Sequence, residues 1–221
     1  MTITLIFLAL LMGAVLWWLF RQSWNTQPWV AHAGAQDVHA GALAHPPPKT
    51  ALAVFLAVAT SLFALFVSAY AMRMHFGDWV HVHEPRILWW NTALLVVTSG
   101  AMHWAVTAAR RGDAGTLRTA LIASGVLTLA FLAGQLVAWR ELDAAGLYAS
   151  SNPANGFFYL LTAVHAVHVV GGLVAWGRVL ARVRRAIPAA GRLVLSVELC
   201  ALYWHFLLAV WIVLFAVLLF T

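Results

Sequence analysis

Gly156-Phe157-Phe158-Tyr159-Leu160-Leu161-Thr162-Ala163-Val164-His165-Ala166-Val167-His168-Val169-Val170-Gly171-Gly172 decides how this chain is read. It lies within an apolar run that starts after Pro153 and reaches Arg178. A run of that length crosses a bilayer as a helix. His165 and His168 are three residues apart and so fall on one helical face. Titratable groups in hydrocarbon are costly, so the pair must face other protein and mark a site or a packed interface. The same reasoning applies to Tyr203-Trp204-His205-Phe206 and Trp211 near the end of the chain.

The totals agree with a membrane chain. Of 221 residues, 63% are hydrophobic and 9% charged, with a mean hydropathy of +0.87. A soluble domain is about half apolar and a quarter charged, and no soluble core of this size hides so much apolar surface. The net charge of +6 does not point to nucleic acid, because the thirteen Lys and Arg sit at the ends of apolar runs. The single Cys200 excludes an intrachain disulfide and a cysteine metal cluster. The twelve Trp gather near run ends, as interfacial anchors do.

Six stretches reach spanning length: 2–20, 51–72, 87–108, 117–139, 156–178 and 197–220. The expected fold is therefore all-α and integral to the membrane, with one N-terminal helix (1–20), a Pro/His-containing linker (21–50) and a five-helix core (51–221). The first span is read as retained rather than as a secretory signal. It has no Lys or Arg before it, and its first positive charge, Arg21, comes after it. In the linker, His32, His39 and His45 precede Pro46-Pro47-Pro48, an extended rod. Their spacings match no compact ligand set.

With the N-terminus outside, the inner loops carry ten of the Lys and Arg and the outer segments three. That bias places both termini outside. The outer loop 73–86 holds His81-Val82-His83-Glu84, which needs further ligands to close a metal shell. The outer loop 140–155 reads as a turn followed by an N-cap. At 1.5 Å per residue, His168 lies roughly 18 Å below one surface and His205 roughly 12 Å above the other, so they share a level in a core about 30 Å thick. Glu198 and His103 fall near the inner surface, and Glu198 and His205, seven apart, share a face. Gly171 and Gly172 allow close helix approach. Two chemistries remain open here. The histidines either ligate haem or metal or fasten helix to helix. A proton path would need carboxylates across the bilayer, and Glu198 is the one carboxylate in a span.

From about residue 49 to 220 the chain resembles subunit III of haem–copper oxidases. The Gly156–Gly172 run resembles that family's Phe-Phe…Thr-Gly-x-His-Gly-x-His-Val run, with Ala163 and Ala166 in place of glycines. Tyr203-Trp204-His205-Phe206…Val210-Trp211 is similar to its C-terminal signature, and Glu198, Asn91-Thr92…Ser99, Arg111-Gly112-Asp113, Gln135 and Phe55-Leu56…Tyr70 also fit. The departures are three family acids, replaced by Ala59, Ala138 and Leu208. They indicate a divergent subgroup and put the roles of those acids in doubt.

The resemblance implies a non-catalytic subunit of a cytochrome c or quinol oxidase in the bacterial plasma membrane. No cofactor is held in this chain. Haem and copper lie in the partner subunits I and II, and structural phospholipid is bound in a cleft. On that view His103, Arg110, Arg111, Glu198, Trp204 and His205 shape a lipid or interface pocket near the inner side. Asn91, Gln135, His165, His168, Gly171 and Gly172 fix helix packing. The competing readings are an accessory protein of nitric oxide reductase and a stand-alone haem or metal protein. A secondary transporter is disfavoured by the lack of an inverted repeat.

Overall fold

The computed structural model describes Trp17 and residues 48–80, 85–184 and 190–219. The expected first span (except Trp17), the linker up to residue 47 and the His81–Glu84 stretch lie outside the described residues. Five helices follow: α1 (Pro48–Arg73), α2 (Ile87–Arg111), α3 (Ala114–Ala144), α4 (Pro153–Arg184) and α5 (Ala190–Leu219). All five are long and apolar enough to cross a membrane. The chain divides into two units after Ala64, within α1. In the first, α1 runs unbroken, and Thr60 Oγ1 donates to the Leu56 carbonyl at 2.7 Å. The helices α2 to α5 belong to the second.

Each of these four packs against two of the others, in the cycle α2–α3–α4–α5–α2. Successive members run antiparallel through short connections, as in a four-helix bundle. The helices α1, α3 and α4 overrun the sequence estimates at both ends, α2 at its end and α5 at its start, with α4 reaching 32 residues. Hydropathy marks only the greasy part of a helix, and the Arg, Leu and Ala beyond it are good helix formers. At 1.5 Å per residue α4 is about 48 Å long, so it tilts or projects from the hydrocarbon.

Local chemistry explains the turns. Gly112 takes φ +72°. Its N–H reaches the Ala109 carbonyl at 3.2 Å and that of Asp113 the Ala108 carbonyl at 3.1 Å, which closes α2 in a Schellman motif. Asp113 at once opens α3. Its carboxylate accepts from Thr116 N at 3.0 Å and Thr116 Oγ1 at 2.6 Å. Gly146 (φ +76°) ends α3 in the same way, with Leu147 N on the Leu142 carbonyl at 2.9 Å. Asn152 then caps α4 as expected, its Oδ1 accepting from Ala154 N at 3.1 Å, and its Nδ2 donates to the Val80 carbonyl at 2.6 Å.

The Thr116 donors hold the Asp113 carboxyl below the usual carboxylate range. A depressed folded-state pKa contributes stability that is complete above the ordinary value of about 4 and fades as pH falls through the lower folded value. Asp113→Asn keeps an acceptor but no charge. In thermal unfolding in detergent the parent should be the more stable at pH 6, with the gap closing towards pH 3. A gap that stays constant across that range would show that the cap carries no such linkage.

Candidate functional site

Among largely apolar helices, the informative residues are the polar ones between them. Polar contacts join each of α2–α5 to its neighbours, and they grow from helical spacing. On α2, Leu88, Asn91, Leu95, Thr98, Met102 and Ala105 recur every three or four residues and are buried. On α3 the matching line is Leu121, Ser124, Thr128, Phe131, Gln135 and Ala138. These lines bring Asn91 and Gln135 together, Asn91 Nδ2 donating to Gln135 Oε1 at 3.4 Å. Gly134 makes the space, because a Cβ there would overlap the Asn91 amide.

His165 sits at the middle of the bundle with no exposed surface. Its ring packs edge-on to Phe131 of α3 (5.8 Å between centroids) and against Trp211 of α5 (5.1 Å). Trp211 Nε1 in turn donates to Thr92 Oγ1 of α2 at 2.9 Å. One imidazole and one indole thus tie all four helices.

Tyr203, Trp204 and His205 are successive, so they point about 100° apart around α5. Tyr203 Oη donates to the His168 carbonyl of α4 at 2.9 Å. Trp204 Nε1 donates to Thr128 Oγ1 of α3 at 3.1 Å. His205 Nδ1 is hydrogen-bonded to Ser99 Oγ of α2. The shared depth of His168 and His205 therefore brings Tyr203, not His205, onto His168. The His168 ring turns back on its own helix, Nδ1–H donating to the Val164 carbonyl at 2.8 Å. Gly172 lies beneath the Tyr203 and Trp204 rings, whereas a Cβ at Gly171 would meet nothing.

Trp204 is 2% exposed, so it belongs to the packing of the bundle and cannot line an outer pocket. The other interface candidates lie along the α2–α5 seam. The His103 ring stands 6.5 Å from that of His205, and both residues are exposed. Two turns further on, Arg110 Nε and Nη2 lie 2.9 and 2.8 Å from Glu198 Oε1, with 65% and 28% of the side chains exposed. Arg111 is exposed and has no polar partner among the described residues. The seam is thus a polar line on an otherwise greasy surface, charged at its Gly112 end. Among the described residues no three His, Cys, Asp or Glu side chains converge as metal ligands do.

Three fasteners escaped sequence reasoning: Thr128 under Trp204, Trp139 Nε1 on Thr162 Oγ1 at 3.0 Å, and Trp176 Nε1 on the Leu121 carbonyl at 3.0 Å. The usable signal was small polar residues at three- and four-residue spacing, which membrane interfaces favour. At the opposite end of the bundle, Arg73 grips Asp78 through both guanidinium nitrogens, one at 2.7 Å. That grip holds the Asp78 carboxyl below its ordinary range. Tyr70, Trp79 and Phe157 cluster beside it.

Residues 51–221 match the family described as cytochrome c oxidase subunit III. The chain is 34% identical over 162 residues to a probable cytochrome c oxidase subunit 3 of Mycobacterium bovis, covering 72% of this chain and 78% of the relative. It is 31% identical over 160 residues to the cytochrome c oxidase subunit 3 of Corynebacterium diphtheriae, covering 70% and 76%. To that of Thermostichus vulcanus it is 28% identical over 174 residues, covering 76% and 84%.

Proposed function

Because the chain belongs to the cytochrome c oxidase subunit III family, we propose that it is the non-catalytic subunit III of a haem–copper terminal oxidase in a bacterial plasma membrane. It packs against the catalytic subunit I in a complex that includes subunit II, and those partners hold the haem and copper. Its part is to stabilise the catalytic subunit, retain phospholipid and sustain proton uptake. The positive-inside bias supports both termini lying outside. The seam formed by His103, Arg110, Arg111, Glu198 and His205 then faces the inner leaflet.

One observation carries this reading beyond the family match. His103 and His205 are exposed within helices of spanning length, and imidazoles facing hydrocarbon are costly. A partner subunit or a lipid headgroup covering the seam removes that cost. The Arg110 and Arg111 guanidinium groups suit lipid phosphate, since basic pockets between spans bind anionic heads. Asn91, Gln135, His165, His168 and Gly172 act behind this face by keeping the bundle rigid, and Gly171 keeps a smooth outer surface.

Glu198→Gln removes the charge opposite Arg110 and leaves the shape. The purified oxidase is expected to lose this subunit several-fold faster during turnover. Subunit stoichiometry and activity would be followed over successive catalytic cycles. Unchanged retention and an unchanged decay of activity would refute the role of the seam.

A further inference from the structure

At the end of the bundle away from Gly112, a cavity of about 350 Å³ opens between the last turns of α3, the loop after Gly146 and the start of α4. Leu136, Trp139, Tyr148, Ala149 and Tyr159 line it, together with Arg140 and Asp143. Its floor is held in place. Trp139 is fixed by its bond to Thr162, and Tyr159 Oη lies 3.4 and 3.3 Å from the Trp139 and Leu147 carbonyls. The Schellman turn at Gly146 sets the loop wall.

Depth and charge narrow what fits. Arg140 is the first charge after the apolar run 117–139, and Trp and Tyr gather at the membrane–water boundary. The cavity therefore opens at headgroup level. Among the described residues the ion pairs are Arg73–Asp78 and Arg110–Glu198, so Arg140 and Asp143 are both open to a ligand. One cation and one anion, a single turn apart on α3, match a zwitterion. Below them, Leu136 and Leu129 are seven residues apart on one face of α3 and are 53% and 56% exposed, a greasy track along which an acyl chain can lie.

We propose that this cavity seats the headgroup of phosphatidylethanolamine, its phosphate on Arg140 and its ammonium on Asp143. The guanidinium offers the donors that phosphate needs. The Asp143 carboxylate accepts N–H bonds from a primary ammonium, which a choline headgroup lacks. With the exposed Glu141 beside it, it also repels headgroups of net negative charge. The inference rests on membrane insertion and not on the oxidase assignment, and the site is separate from the α2–α5 seam.

The test uses the full chain, purified with whatever subunits accompany it. It is placed in nanodiscs holding equal phosphatidylethanolamine, phosphatidylglycerol and phosphatidylcholine, and native mass spectrometry counts the lipids that stay bound. The expected result is several-fold enrichment of phosphatidylethanolamine. Asp143→Asn should abolish the preference while total bound lipid is kept, and Arg140→Gln should lower all three lipids together. Both side chains are exposed, so the variants keep the fold, and the helical circular dichroism signal verifies this. Equal retention of the three lipids, an enrichment that neither variant alters, or a protein segment filling the cavity in a density map would each overturn the proposal. Failure to co-purify an oxidase would count against the proposed function and leave this result standing.

Discussion

Trp211→Ala should be the most damaging single change in the bundle, costing about 3 kcal/mol, the lower end of the range for deleting a large aromatic from a core. The lower end applies because lipid tails are as apolar as the interior. What is lost is packing contact rather than transfer from water. Trp211 meets Phe131 edge-to-face (5.1 Å), packs tilted against His165 (5.1 Å) and bonds to Thr92, so its removal loosens three neighbouring helices together. Trp211→Phe keeps most of the contact and loses one hydrogen bond, worth about 1 kcal/mol. Unfolding of the detergent-solubilised chain by increasing sodium dodecyl sulfate separates the two. Equal losses for Ala and Phe would show that the indole does not hold the centre.

Gly172→Ala should follow, costing about 1–3 kcal/mol by overpacking. The added methyl would stand 2.7 Å from Tyr203 Cε1 and 3.2 Å from Trp204 Cη2. Both rings are anchored, one to the His168 carbonyl and one to Thr128, so neither yields without losing its bond. Gly171→Ala is the internal control. Nothing lies within 4 Å of its added methyl, and alanine is the better helix former. The same titration should leave Gly171→Ala unchanged or slightly more stable. If the two variants behaved alike, the α4–α5 contact described for Gly172 would be wrong.

That pair of glycines shows where the sequence is clear and where it is silent. The five described spans, the Asn152 cap and the Arg111-Gly112-Asp113 turn are legible because length, charge placement and turn chemistry survive in any solvent. The direction each helix faces is not. A helix in lipid is apolar all round, so the inside–outside contrast that marks a soluble helix is missing. Hence Gly171 and Gly172 read alike, and Trp204 read as an interface residue although it points inward. The legible part of the core was its minority of polar residues. Asn91, Gln135 and His165 are buried because hydrocarbon gives them nowhere else to go. His205 is the exception, since it was legible as a polar group but its partner Ser99 required the helix faces to be known.

The Gly112-Asp113 link leaves α2 and α3 only three Cα–Cα steps apart at that end, at most about 11 Å. Two rods so closely tethered stay within reach of each other however they enter the bilayer, because so short a link costs little closure entropy. Once both rods are in place, the Asn91–Gln135 bond can form without a search across the bilayer. Two residues thus make α2 and α3 the most local of the bundle's helix pairings, the one whose closure costs least chain entropy.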